Sequence, residues 1–253
     1  MIIEYSRPET MEEALRLLQR QNPKSVPLGG GTSLAQSRGK TDFAVIDLQA
    51  LGMREIIERD GILEISANVT LQQLHDHPLL PFAFRAALEM EGNFNLRQAA
   101  TVGGSVASGS GSAINMMLQA VDVEIIWQPG NEVITYPRFV QDFRQKKQGF
   151  ISQVRIPLQI RTSLEKISRT PLSQSILCVC GALLQQNTIR MMMLNPSSNL
   201  ADTLFEGNLK SDQLESRQIA SLWCNQHPKE DSYTASILPV LIDRVISTLR
   251  KEG

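Results

Sequence analysis

The chain has 253 residues, 42% of them apolar and 20% charged, with a formal net charge of −1. That length holds one large domain or two to three small ones, and the charge balance gives no case for nucleic-acid or anionic-membrane binding. The start lacks a basic stretch followed by an apolar one, and no apolar run approaches the roughly 18–20 residues that span a bilayer, so a soluble, cytoplasmic protein is expected.

Thr10-x-x-Glu13 is a capping box, and Met11, Ala14, Leu15 and Leu18 follow at helical spacing. The helix leads to Ser25-Val26-Pro27-Leu28, a short strand ending in a glycine loop, Gly29-Gly30-Gly31-Thr32-Ser33-Leu34. No helix is expected straight after that loop. Residues 44–48 read as a buried strand and 62–67 as an alternating one. Thr70-x-x-Gln73 is a second capping box, opening a helix through Leu71 and Leu74. Residues 82–90 read as helix. A second glycine loop, Ala100-Thr101-Val102-Gly103-Gly104-Ser105, precedes a helix over 114–121 and a strand over 123–127. Pro129-Gly130-Asn131 is a turn across which 133–135 pairs back. Pro137 opens a short helix, and 150–156 is a strand ended by Pro157.

Beyond Pro157, residues 166–169, 175–184 and 188–194 read as strands, the last two joined around Gln186-Asn187. Asp212-x-x-Glu215 opens a helix through Leu222 and Trp223. Leu238, Leu241, Ile242, Val245, Ile246 and Leu249 form the apolar stripe of a last helix, which begins near Pro239 or kinks there. Irregular alternation of strands and helices, with strands then helices at the end, argues for an α+β fold with a second, smaller α+β domain.

Cys178 and Cys180 lie two apart in a strand, on one side of it, and read as buried apolar residues, with Cys224 separate. No Cys-x-x-Cys pair exists, so an iron–sulfur centre within the chain is not expected. His75 and His77 point apart on a helix, and no metal site is expected from them.

The glycine loops carry the chemistry. Glycine lets the backbone approach an anion, and consecutive N–H donors beside Thr or Ser hydroxyls form an anion nest. Neither loop has the Gly-x-Gly-x-x-Gly of a Rossmann turn or the Gly-Lys-Ser/Thr of a P-loop. On composition alone each is a nest or a plain tight turn.

The order of strand, Gly-Gly-Gly-Thr-Ser-Leu, Val45-Ile46-Asp47-Leu48, alternating strand, and Asn95-Leu96-Arg97-Gln98-Ala99-Ala100-Thr101-Val102-Gly103-Gly104 resembles the FAD-binding medium subunit of molybdenum hydroxylases. That is the family of xanthine dehydrogenase and carbon monoxide dehydrogenase flavoproteins. Gln153-Val154-Arg155-Ile156-Pro157, Lys166-Ile167-Ser168-Arg169 and Asp231-Ser232-Tyr233-Thr234-Ala235-Ser236 extend the resemblance through the chain. It implies a two-part FAD-binding domain of the p-cresol methylhydroxylase type over 1–158, with subdomains of about 1–52 and 53–158. A small α+β domain over 159–253 would follow.

By the same resemblance, the FAD diphosphate would lie between Pro27-Leu28-Gly29-Gly30-Gly31-Thr32-Ser33-Leu34 and Thr101-Val102-Gly103-Gly104-Ser105. Their N–H groups and the hydroxyls of Thr32, Ser33, Thr101 and Ser105 would donate to phosphate oxygens. Ile151 would sit near the flavin or adenine, Lys166 close to the cofactor, and Arg97 would brace the loop. The family's Asn after Gly-Gly is Ser105 here, and its following carboxylate is missing: no acid occurs between Ser105 and Asp122. The implied role is an oxidoreductase subunit passing single electrons through FAD, with no acid–base residue required. Partners would be a molybdopterin-binding large subunit and a small subunit with two 2Fe-2S clusters, with an acceptor such as NAD. A cofactor-poor structural or assembly subunit and a stand-alone flavin oxidase or reductase are the competing readings.

Overall fold

The computed structural model describes residues 1–36, 42–109, 111–143, 148–169, 175–195, 201–209, 215–227 and 232–251. In chain order the first elements are β1 (Ile2–Ser6), α1 (Met11–Gln19), β2 (Ser25–Leu28), α2 (Thr32–Gln36), β3 (Phe43–Asp47), β4 (Ile56–Arg59), β5 (Ile62–Ser66), α3 (Leu71–His75) and α4 (Phe82–Glu89). There follow α5 (Phe94–Ala99), α6 (Val102–Ser108), α7 (Ala113–Ala120), β6 (Glu124–Gln128), β7 (Glu132–Thr135), α8 (Tyr136–Arg138) and β8 (Phe150–Pro157). The last are β9 (Arg161–Ser168), β10 (Ser175–Leu183), β11 (Thr188–Leu194), β12 (Ala201–Asn208), α9 (Ser216–Gln226) and α10 (Ser232–Lys251). The mixture is α+β, as expected.

Two compact units form. The first comprises Met1–Leu79, Asn93–Gly109 and Asp122–Pro157; the second comprises Leu80–Gly92, Ser110–Val121 and Leu158–Gly253. Segments 80–92 and 110–121 thus pack with the second unit although they lie in sequence inside the first.

The first unit holds two sheets. One has three parallel strands, β1-β3-β2. Helix α1 covers it because Thr10 accepts from the Glu13 N–H at 3.2 Å and aligns Ala14 and Leu18, four apart, on Ile46, Leu48 and Phe150. The other sheet is antiparallel, β4-β5-β8-β6-β7. Its β5 buries Leu63 and Ile65 and leaves the residues between half-exposed, the period-two pattern of its sequence. The β6–β7 turn has Gly130 and Asn131 at φ +94° and +53°. The Thr70–Gln73 capping box is complete, with bonds of 2.9 and 3.1 Å.

The second unit is one antiparallel sheet, β12-β11-β10-β9, with helices on both faces. Gly181 of β10 lets α10 close on one face: a Cβ there would lie 2.5 Å from Val245 Cγ1. On the other face the Cys180 thiol reaches the Met116 carbonyl of α7 at 3.9 Å. Cys178 and Cys180 are fully buried on that side, and burial pushes the Cys178 thiol up to about 12.

Several elements differ from the sequence expectation. The first glycine loop runs straight into α2, where no helix is expected, and α6 begins inside the second glycine segment, at Val102. Of the two readings of the last helix, a start near Pro239 is excluded: the helix runs from Ser232 to Lys251 with Pro239 inside. Asp212 and Asp231 lie outside the described residues. Glu215 precedes α9 without a side-chain capping bond.

Candidate functional site

Strand β2 ends at Leu28, opposite Asp47 of β3. Beyond it the chain turns through Gly31, at φ +73°, into α2. A polar chain holds this turn from behind. The Tyr5 hydroxyl donates to Asp47 Oδ2, the Gln49 N–H donates to Asp47 Oδ1 at 2.9 Å, and Gln49 Nε2 donates to the Gly29 carbonyl at 3.1 Å. The bond to Asp47 raises the Tyr5 pKa. On the open side, the N–H groups of Gly30, Gly31, Thr32, Ser33 and Leu34 donate to no oxygen among the described residues.

The second glycine segment is built differently. Thr101 caps α6, and the four N–H groups that follow are used inside the protein. Val102 and Gly103 donate to the Val69 and Ala67 carbonyls at 2.8 and 2.9 Å. Gly104 donates to Thr101 Oγ1 at 3.2 Å, and Ser105 to the Thr101 carbonyl at 2.9 Å. The expected second row of N–H donors is therefore corrected: helix formation and the connection after β5 take these groups.

Its glycines serve close approach. A Cβ at Gly103 would lie 2.7 Å from the Ala67 Cβ. One at Gly29 would lie 2.4 Å from Thr101 Oγ1, and one at Gly30 only 1.8 Å from the Ala99 carbonyl oxygen. The two glycine segments press backbone on backbone, and no other residue fits at these points.

Between them in the first unit is a cavity of about 580 Å³, within the range of small-molecule and cofactor sites. Residues 27–34 line one wall, Thr101, Gly103 and Gly104 another. The apolar end is made by Leu18, Trp127, Phe139, Phe150 and Ile151. The Trp127 and Phe139 ring centroids are 5.7 Å apart at 47°. Among the described lining residues Lys24 is the one charged side chain, and no carboxylate is present. Five consecutive N–H groups without protein acceptors, one cation and a long apolar end suit a molecule with a diphosphate and flat rings. The chain's residues therefore fit FAD.

Val102 is buried and does not line the cavity; nor does Ser105. Lys166 belongs to the second unit, on β9 opposite Cys178, and is not among the lining residues. Arg97 of α5 donates from Nε to Gln72 Oε1 at 2.9 Å, tying α5, and so the second glycine segment, to α3. Gln72 and His75 both bond Asp76, which lowers the Asp76 pKa, His75 first. In the second unit Ser112 caps α7, and Glu91 Oε1 accepts from the Ile114 N–H at 3.1 Å.

Sequence reading missed Gln49, Asn68, Trp127 and Phe139. Asn68 is buried, lines the cavity and donates to the Leu48 carbonyl at 2.6 Å. An Asn straight after an alternating strand was the available signal. Nothing local shows that Trp127 faces a cavity.

A family model described as the FAD binding domain in molybdopterin dehydrogenase matches residues 1–159. Uncharacterized protein YgfM of Escherichia coli strain K12 is 25% identical over 264 residues, covering 100% of this chain and 98% of that one. Among solved structures, quinoline 2-oxidoreductase from Pseudomonas putida 86 superposes with a TM-score of 0.81 at 17% identity, covering 100% of this chain and 98% of that one. Carbon monoxide dehydrogenase from Hydrogenophaga pseudoflava superposes with a TM-score of 0.78 at 18% identity, covering 99% and 98%. At these identities the structures establish the shared fold. Among the described residues no helix is long and apolar enough to cross a membrane. With a family model over more than half its length and a cavity suited to the family's cofactor, the chain belongs to the FAD-binding domains of molybdopterin dehydrogenases.

Proposed function

We propose that this chain is the FAD-binding electron-transfer subunit of a molybdenum hydroxylase assembly of the xanthine dehydrogenase kind. It takes electrons from iron–sulfur clusters on a partner subunit and passes them to an acceptor such as NAD. The partners are a molybdopterin-binding large subunit and a 2Fe-2S small subunit, and the place of work is the cytoplasm. The observation that carries the reading is the row of unengaged N–H groups from Gly30 to Leu34 facing a cavity closed by the second glycine segment.

Bound FAD supplies the redox chemistry, and the protein supplies binding, orientation and electrostatics. Gly30, Gly31, Thr32, Ser33 and Leu34 hold the diphosphate by N–H donation, with the Thr32 and Ser33 hydroxyls beside them. Thr101, Gly103 and Gly104 close the opposite wall. Leu18, Trp127, Phe139, Phe150 and Ile151 take up a flat ring and keep water from it. Single-electron transfer asks no acid or base of the chain, and no carboxylate or histidine lines the cavity among the described residues.

Purification followed by a visible spectrum and titration with FAD tests this reading. A flavin spectrum, and co-purification with a molybdenum-containing large chain and an iron–sulfur chain, are the expected results. A colourless protein that takes up no FAD sinks it. One observation favours a second reading, an assembly subunit of the same fold: the N–H groups of residues 102–105 are engaged within the protein and no acid follows before Asp122. Partner binding without FAD uptake would select that alternative.

A further inference from the structure

The second unit carries a groove that the flavin site does not use. It has a volume of about 420 Å³ and is lined by the consecutive residues 158–165. These residues contain the first half of β9, which is the edge of its sheet: β10 pairs with one side of it, and no described strand pairs with the other. An antiparallel strand turns the N–H and C=O groups of alternate residues away from its neighbour, so β9 offers an unused hydrogen-bonding edge.

The two faces of that edge differ in chemistry. Ser163 pairs with Gly181, and the missing Cβ of Gly181 faces Val245 and Leu249, so Ser163 stands on the α10 side. Alternation puts Arg161 and Glu165 on the same side. There Glu165 lies 3.8 Å from Arg244, whose side chain is 61% exposed, and Thr248 of α10 lines the groove. The Arg161 guanidinium has no carboxylate partner among the described residues. Ser163, 5% exposed, lines the groove between Arg161 and Glu165. Leu164 pairs with Cys180, whose thiol meets α7, so Leu164 and Thr162 stand on the other side. That side of the groove is bounded by Pro81, Ala83 and Phe82, and Phe82 is 82% exposed.

We propose that the β9 edge is a docking groove for an extended segment of a partner protein in which acidic and apolar residues alternate. The segment adds to the sheet as a further strand. Its main chain takes the free β9 donors and acceptors, its acidic side chains meet Arg161, Ser163 and Arg244, and its apolar side chains meet Phe82 and Leu164. Among the described lining residues Arg161 is the one cation and Glu165 the one carboxylate; Glu165 is engaged with Arg244 beside the groove, which leaves Arg161 to set the sign of the charge preference.

The full-length chain is titrated with a capped Asp-Val-Asp-Val-Asp-Val peptide while backbone amide exchange is followed. Expected are slowed exchange at alternate β9 amides and loss of binding when alternate peptide nitrogens are methylated. Arg161→Glu weakens binding by about tenfold or more and gains binding to the Lys-Val-Lys-Val-Lys-Val peptide, a swap that a misfolded variant would not show. Absence of protection at β9, or equal binding of the acidic and basic peptides by the parent, overturns the proposal. So does protection of the same amides by self-association without peptide, since the occupant is then a second copy.

Discussion

Replacing Gly30 by Ala tests the interlocked glycine segments. The new Cβ would lie 1.8 Å from the Ala99 carbonyl oxygen, 2.8 Å from its carbon and 3.1 Å from the Ala100 Cα. Carbon contacts settle near 3.5 Å, so the backbones must part by about 1.5 Å. All three obstacles are main chain and cannot rotate aside. A hydrogen bond tolerates far less displacement than that. If two of the five N–H groups lose a phosphate oxygen, at about 1.5–3 kcal/mol each, FAD affinity falls by about 3–6 kcal/mol, or roughly 10²–10⁴-fold. The apoprotein loses about 1–3 kcal/mol from the same crowding. Gly31→Ala adds strain at φ +73° with no close obstacle beyond Leu28 Cδ1 at 3.4 Å, and should weaken FAD by about tenfold. Ser105→Ala removes a hydroxyl that does not line the cavity and should change it by less than about threefold. FAD titration by flavin fluorescence, with circular-dichroism melts of the apoproteins, measures all three. Gly30→Ala binding FAD within about threefold of the parent, with an unchanged melt, would refute the reasoning.

Asn68→Ala leaves the buried Leu48 carbonyl without its donor and should cost about 1–3 kcal/mol in urea unfolding; an unchanged midpoint would contradict the assigned bond. Burial raises the Glu91 pKa, against opposing bonds from Ile114, Ser112 and Ala113, so the folded chain holds that proton more tightly than the unfolded one. Its contribution is full below the unfolded value of about 4.3 and is lost as pH rises through the raised folded value. Glu91→Gln should flatten the pH dependence of the urea midpoint as pH rises from about 4, and an unaltered slope would speak against the burial effect. Cys178 and Cys180 are buried with raised pKa values, whereas Cys224 is half-exposed. Iodoacetamide at about pH 8 should label Cys224 first and the other two only after denaturation; comparable native rates at Cys178 would be inconsistent with this packing.

The regular elements were legible where local signals agreed. Thr70 and Gln73 announce a capped helix, the alternation through Leu63 and Ile65 announces a half-buried strand, and both form. The glycine loops stood out because glycine has few local reasons to repeat. The missing carboxylate after the second marked them as unequal, but which loop keeps its N–H groups free was not legible, since Val102 and Gly103 send theirs to the carbonyls of Val69 and Ala67, more than thirty residues away. Helices α2, α5 and α6 span five to seven residues, too short for a 3.6-residue period to show. Pro239 inside α10 went against propensity because buried Leu238, Leu241, Ile242 and Val245 hold the helix on the sheet on both sides of it.

The two compact units exchange the chain five times, at 79/80, 92/93, 109/110, 121/122 and 157/158. Neither is therefore a stretch of sequence that can be cut out. A fragment ending where the family match ends keeps α7 but loses the strands it covers, exposing Ala113, Ile114, Met116 and Met117, all now buried. The complementary fragment keeps its sheet with one face stripped of α4 and α7. A dissection of this protein into halves should thus yield aggregates, whereas co-expressed halves should recover a folded pair. In this chain the boundaries of shape and of sequence do not coincide.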